Sequence, residues 1–189
     1  MTSLERKLNV IDESGNIIGK DTRENIHRRG LLHRETHVWF YTPRGEIIFQ
    51  HRGKNKDTYP DLLDSTVGGH VEIGEDYEGT ALAEIEEETG IRTTRDKLIF
   101  IQMVRNTAYD QVTNTINNTL SVEYAYLFEG QLDELKVEKN KAQGFEAWPI
   151  KTLLSISKKD KERFIPIIFD NYFLDLFRKI KELYDGHKK

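Results

Sequence analysis

There is no cysteine among the 189 residues of this chain. That absence excludes disulfides, thiolate metal sites and cysteine nucleophiles together. Long apolar runs are missing too. None approaches the roughly 18 residues of a membrane-spanning helix, and the opening MTSLERKLNVIDESG lacks the apolar core of a signal peptide. Excess positive charge is also absent: the formal net charge is −4, so the overall balance draws the chain to neither nucleic acid nor a membrane surface. No internal repeat, low-complexity tract or linker interrupts the sequence. What is present is ordinary, with 37% hydrophobic and 32% charged residues in a length that suits one domain with a full core. A cytoplasmic location is the default expectation.

In chain order, two short apolar runs flank Glu13-Ser14-Gly15-Asn16 and predict a hairpin from Lys7 to about Lys20. The polar, basic stretch from Thr22 to Gly30 predicts a short helix that stops at its glycine. His33 to Tyr41 and Gly45 to His51 are rich in β-branched and aromatic residues and read as strands, joined by a turn at Thr42-Pro43-Arg44-Gly45. Gly53 to Asp64 reads as a loop and Ser65 to Ile73 as a short extended segment. Strands are expected again at Lys97 to Arg105 and Thr119 to Phe128, with the polar stretch Asn106 to Asn118 as a long loop between them. Phe145 to Ile150 predicts a short strand at a sheet edge or strand end, because it contains Pro149, and a short helix is expected from Lys151. From Phe164 to Tyr184 apolar residues recur near a helical period beside a charged face, which predicts a helix packed on the body. Strands on both sides of a central helix, with a closing helix, make a mixed α/β layered domain.

The central helix is expected from roughly Asp76 to Thr89, inside the stretch GHVEIGEDYEGTALAEIEEETGI that runs from Gly69 to Ile91. Glu84, Glu87 and Glu88 stand three and four residues apart, so a helix stacks their carboxylates on one face. Alone, that pattern suits a solvated acidic face. Its surroundings argue otherwise. A glycine-rich turn (Gly68-Gly69, then Gly74) precedes the helix and Gly90 closes it. The acids crowd the C-terminal half, where the helix dipole opposes them, and like charges at this spacing weaken a helix. Hard divalent cations, which take oxygen ligands, would offset the repulsion.

Gly69, Glu75, Glu84, Ile85, Glu87, Glu88, Gly90 and Ile91 fall at the spacing of the Nudix box, G-x5-E-x7-R-E-U-x-E-E-x-G-U, where U is a bulky apolar residue. Of its nine specified positions only Ala83 departs, standing where the family has arginine. A match of that length is far more specific than a lone glycine pattern. The resemblance covers most of the chain, through LLHRETHVWF, GEIIFQHR, KDTYP and STVGGHVEIGE, and looks like the Nudix branch related to isopentenyl-diphosphate isomerase. It implies a Nudix-type α/β/α sandwich around a mixed β-sheet. On this reading residues 1–189 form one domain, with a core about 31–157, an N-terminal hairpin extension 5–30 and a C-terminal helical extension 160–185. It also implies a Mg²⁺- or Mn²⁺-dependent hydrolase that cleaves a diphosphate linkage in a nucleoside diphosphate derivative or a similar phosphorylated small molecule.

By position, Glu84, Glu87 and Glu88 resemble the family's metal ligands, with the Gly69 carbonyl as another, and Glu84 and Glu87 are the catalytic candidates. Gly68 and Gly69 let backbone approach metal or phosphate with no Cβ in the way. Arg34, Arg52 and Lys54 are the candidates for holding substrate phosphate, and Lys56 shares the loop of Lys54. In some relatives the base is a glutamate on a later loop, which points to Glu146, with Glu123 beside it as a second candidate. The family arginine pairs with box carboxylates, notably at Glu75; alanine cannot, and Arg92 and Arg95 are the nearby substitutes. Its loss favours an alternative, a nucleotide-binding or regulatory module with weak or no hydrolysis, while retention of the glutamates favours the enzyme. The isomerase activity is disfavoured. Gly68 stands at the position of that enzyme's cysteine, and Asn117-Asn118-Thr119 replaces its E-N-E carboxylates. The isomerase also builds a metal site partly from histidines near the positions of His27, His33 and His70. With the carboxylates gone, ordinary hydrogen bonding is the expectation for these residues.

Overall fold

The computed structural model describes residues 6–56, 58–138 and 141–186, so the expected start of the N-terminal extension at residue 5 lies outside them. Strands β1 (Lys7–Ile11) and β2 (Ile17–Thr22) form the expected hairpin, its turn held by the Asp12 carboxylate, which accepts from the Ser14 and Asn16 amides at 2.9 Å. Thr22 caps α1 (Arg23–Arg29) by accepting from the Asn25 amide, and Gly30 ends it at φ 63°.

The main sheet contains β3 (His33–Tyr41), β4 (Glu46–Arg52), β5 (Leu63–Asp64), β6 (Val67–His70), β7 (Ile99–Asp110), β8 (Thr115–Leu127) and β9 (Ala142–Pro149). Helix α2 (Tyr77–Thr89) follows β6, and α3 (Ile150–Leu153), α4 (Lys158–Lys161) and α5 (Asn171–Gly186) follow β9. The strand order is β5-β4-β3-β8-β7, with β6 also paired to β3 and β9 to β4. The β3–β8 ladder is parallel and the others antiparallel, so the sheet is mixed. Side chains alternate between its faces. On one face Val38, Phe40, Ile48, Val67 and Val122 pack on Ala81 and Ile85 of α2. On the other, Trp39, Tyr41, Ile47 and Phe49 pack on Phe173, Leu176, Phe177 and Ile180 of α5. This is the expected α/β/α sandwich, and Trp39 is a core residue whose ring meets Phe173 and Phe177 edge-on.

Three expectations need correction. Asn106 to Asn118 is not a loop: β7 and β8 run through it, pairing Thr107 with Asn118 and Tyr109 with Ile116, and turn only between Asp110 and Thr115. Ladder pairing outweighs the weak strand preference of asparagine. The closing helix starts at Asn171, because Pro166, which lacks a backbone N–H, opens a separate short 3-10 turn at Pro166–Phe169. The two-residue strand β5 lies in what reads as loop. Among the described residues, no helix is long and apolar enough to cross a membrane.

Candidate metal and active site

Strand β6 is four residues long and joins the sheet through β3, with Thr36 opposite Gly69 and His37 opposite Gly68. Alternation turns Gly69 toward α2 and Gly68 toward the α5 side. Each glycine makes room for one side chain. A Cβ on Gly69 would lie 2.2 Å from Glu84 Oε1, and one on Gly68 would lie 2.7 Å from His37 Cδ2.

The α2 side holds the acids. The helix is placed by Asp76, which caps it by accepting from the Gly79 amide at 2.6 Å, and by Gly90, which ends it at φ 72°. Glu84 presses on Gly69, and Glu88, one turn later, is 8% exposed and accepts from Gln50 Nε2 at 3.1 Å. Burial, then the charges of Glu88 and Glu87, push the Glu84 carboxyl up to about 8, with Lys141 opposing. Burial likewise pushes Glu88 up to about 7, against the pull of Lys141, Gln50 and the Gly68 amide. These carboxylates are gathered against their own electrostatics, a conflict that a cation resolves. The donors are all oxygens and Gly69 leaves bare backbone facing them, which fits a hard divalent ion. The structure thus sets Glu84 against Gly69 and Glu88 beside the Gly68 amide, while Glu87, exposed on the same helix, contributes its charge to Glu84.

Other expected residues lie elsewhere. Arg52 is committed to its own loop: it donates to Asp64 at 2.7 Å, to the Thr58 carbonyl at 2.8 Å and to the Tyr59 carbonyl at 3.1 Å. Arg34 donates to the Gly15 carbonyl at 2.7 Å and lies over the Tyr77 ring, tying the N-terminal hairpin to the start of α2. Lys54 is exposed and near Asp61. Glu146 is held by Arg163 at 2.6 and 2.8 Å and sits opposite Phe49 on the α5 face, so the sheet separates it from the acids. Glu123 is on that face too, 1% exposed, accepting from Trp39 Nε1 at 2.7 Å and paired with His37 Nδ1 at 3.0 Å. Neither Arg92 nor Arg95 replaces the missing box arginine, since Arg92 pairs with Glu86 and Arg95 with Asp76 and Glu78. Lys141, itself paired with Glu138 at 2.7 Å, acts on both Glu84 and Glu88, and Lys56 also acts on Glu88. Lys141 carries no sequence signal; only the fold, which places it just before β9, brings it here.

On the α5 side, α1, β3 and β6 bring His27, His33 and His70 together, with ligand atoms within 4.8 Å of one another. Nε2 of His27 and Nε2 of His70 are 3.2 Å apart. The Nδ1 atoms of His27 and His33 face the Arg23 and Leu31 carbonyls at 2.8 and 2.9 Å, so they donate there and leave Nε2 as the lone-pair atom. His33 is fully buried and Asn117 stands beside it, yet its Nε2 closes no hydrogen bond. Ordinary hydrogen bonds thus account for His27, for the Nδ1 of His33 and for His70, with Asn117 next to the remaining His33 nitrogen. Burial holds all three imidazoles below the usual histidine range.

An uncharacterized Nudix hydrolase of Clostridium acetobutylicum is 26% identical over 176 residues, covering 92% of this chain and 80% of that protein. An uncharacterized Nudix hydrolase of Yersinia pestis is 38% identical over 84 residues, which span 44% of this chain and only 46% of its own length. A crystal structure from Deinococcus radiodurans has the same fold, with TM-score 0.65 and 20% identity over 92% of this chain and 98% of that one. The NUDIX domain family model matches residues 31–167, well over half of the chain, and the chain belongs to the Nudix hydrolase family.

Proposed function

We propose that this protein is a divalent-metal-dependent hydrolase that cleaves a diphosphate linkage in a nucleoside diphosphate derivative or a similar phosphorylated small molecule. The observation that carries this reading is Glu84 pressed against the bare backbone of Gly69, with the charges of Glu87 and Glu88 acting on it. Those three carboxylates and the Gly69 carbonyl would hold Mg²⁺ or Mn²⁺, which when bound neutralises a diphosphate and lowers the pKa of an attacking water. Gln50 orients Glu88 by donating to it, before any ligand arrives. Lys56 and Lys141 bring mobile positive charge to the rim, suited to phosphate oxygens, and Arg52 shapes the loop that carries Lys54 and Lys56. Docking of the N-terminal hairpin and of α5 onto one sheet supports reading residues 1–189 as one domain. The test is incubation with Mg²⁺ or Mn²⁺ and a panel of nucleoside di- and triphosphates, sugar nucleotides and dinucleotides, followed by assay of released phosphate or monophosphate. Turnover lost in Glu87→Gln and Glu88→Gln supports the enzyme. Tight binding without turnover across the panel would establish instead the binding module that the loss at Ala83 favours.

The convergence of one ligand atom each from His27, His33 and His70 within 4.8 Å favours a second cation among the three histidines. Two nitrogens bound to a tetrahedral zinc sit ~3.3 Å apart, close to the 3.2 Å between His27 and His70. The positions resemble those of the isomerase histidines. Here the nearby carboxylate is Glu35, with Oε1 3.7 Å from His70 Nε2. Titration with Co²⁺ should give visible absorption bands that disappear in His27→Gln, and bands of equal strength in both proteins would refute the site.

A further inference from the structure

Strand β7 is the outermost strand of the sheet: β8 pairs with one of its edges, and no strand among the described residues pairs with the other. An open edge is a template for another strand, and natural edges are usually blunted by proline, lysine, short length or a bulge. β7 has twelve residues and contains neither proline nor lysine. Its single arginine, Arg105, is turned onto Glu13 at 3.0 Å and Asn118 at 2.5 Å. A bulge does interrupt the ladder between Phe100 and Gln102, which leaves Gln102 to Asp110 as the regular edge. On that segment Met103 is 51% and Tyr109 55% exposed, both on the face turned away from α5.

We propose that two copies of this chain associate through β7, antiparallel, about a two-fold axis at Asn106. Asn106 is the middle residue of the regular edge, so this register pairs the whole segment with itself. Gln102 then lies opposite Asp110 of the second copy, Met103 opposite Tyr109, Val104 opposite Ala108 and Arg105 opposite Thr107, each pair occurring twice. No like charges face each other. Each Met103–Tyr109 pair covers two exposed apolar groups with a sulfur–aromatic contact. The neighbouring registers are worse. A slip of two residues toward the N-terminus sets Arg105 against its own copy and runs into the bulge. A slip of two the other way leaves Gln102 and Met103 with nothing opposite, and a slip of one puts the two faces out of phase. Self-complementarity of this segment is what names a second copy as the occupant, with the main-chain ladder supplying affinity. The groove between this edge and α5, about 520 Å³, carries Asp175, Arg178, Lys179 and Glu182 on its helix wall, with Lys179 donating to Gln102 at 3.0 Å. Charges of both signs in one strip suit a face that meets its own copy.

The absence of cysteine makes the test specific. In Asn106→Cys the sole thiol lies on the two-fold axis. Opposed strand residues have Cα atoms ~4.5–5.5 Å apart, within the ~4.4–6.8 Å that a disulfide spans. The 189-residue chain should sediment as a dimer, and mild oxidation should link Asn106→Cys at least about ten-fold faster than Val112→Cys, whose thiol would sit on the exposed hairpin tip. The double variant Met103→Lys, Tyr109→Lys should shift to monomer with its circular dichroism spectrum and Tm retained. A monomeric wild-type chain overturns the proposal. So does a dimer in which Asn106→Cys links no faster than Val112→Cys, since that dimer uses another surface.

Discussion

Replacing Gly69 by alanine adds one methyl group at a point where Glu84 already stands. The new Cβ would lie 2.2 Å from Glu84 Oε1, 2.4 Å from its Cδ and 2.7 Å from its Cγ. Non-bonded atoms settle at ~3.5–4.0 Å, so the carboxylate must retreat by more than ~1 Å. Glu84 is a partly exposed helix side chain and can swing aside, so the fold should absorb the change. Gly69 is also not in the left-handed region, and alanine there gains ~0.4–1 kcal/mol through the unfolded chain. Tm should therefore move by only a few degrees. The site should not absorb it: a ~1 Å misplacement can cost ~100-fold in rate, or ~2.7 kcal/mol. Mn²⁺ affinity, read by electron paramagnetic resonance, should fall together with kcat on the best substrate of the panel. Gly68→Ala is the control. Its methyl group would meet His37 on the opposite face, so stability should suffer while Mn²⁺ affinity is kept. Wild-type Mn²⁺ affinity and turnover in Gly69→Ala, or equal losses of affinity at both glycines, would refute the assignment of the metal site to the α2 side.

Ala83→Arg restores a guanidinium beside the box acids from an exposed helix position and should raise rate or metal affinity by up to about ten-fold; no gain in either counts against a role for that position. Glu123→Gln removes the charge that His37 and Trp39 share, and chemical denaturation should show a loss of about 3 kcal/mol, where a loss below about 1 kcal/mol would contradict the buried pair. Burial works against the His37 charge, but Glu123 and Glu35 outweigh it and push that imidazole up to about 10. Its protonated form is favoured on folding, so its contribution to stability is complete below ~6.5 and drains away as the pH rises through the folded value. Unfolding free energy should fall across that window more steeply in the wild type than in His37→Gln, and parallel profiles would remove His37 as the cause. Arg52→Ala frees the Thr58–Tyr59 carbonyls and Asp64, and should cost about 1.5–3 kcal/mol while raising KM through the loop that carries Lys56; unchanged stability would mean that the loop is held by other contacts.

The parts of this protein legible in its sequence are those written in short-range spacing. Spacing alone put Glu84, Glu87 and Glu88 on one helix face, and resemblance to the Nudix box added Gly69. The amphipathic period of α5 and the aromatic, β-branched runs of β3 and β4 are equally local. What failed depended on pairing across the chain. Asn106 to Asn118 looks like loop because asparagine is depleted in strands, yet Asn106 to Asp110 and Thr115 to Asn118 all find ladder partners. Glu146 was a plausible later-loop base in order along the chain, but strand alternation points it at Arg163 on the far face. Lys141 has the opposite history: nothing local marks it, and only the antiparallel return of β9 beside β4 carries it to the acids. The cluster of His27, His33 and His70, spread over α1, β3 and β6, is likewise visible only once the strands are in register.

The two glycines of β6 would let the acidic and the imidazole clusters coexist. Read as a motif, Gly68-Gly69 is one permissive turn through which backbone approaches a phosphate. In the sheet they are consecutive residues of a strand, so they must face opposite ways. Gly69 belongs to the acids of α2, and Gly68 opens onto His37, with Glu123 behind it. His70, next along the strand, again points away from α2, and this is why it joins His27 and His33 rather than the carboxylates. Strand alternation therefore insulates the oxygen donors from the imidazoles, although Gly69 and His70 are adjacent in sequence. A cation that prefers oxygen and one that prefers nitrogen would not compete for a shared ligand. It follows that a side chain gained at position 68 changes the imidazole side while sparing the box, whereas any side chain at position 69 strikes Glu84 itself.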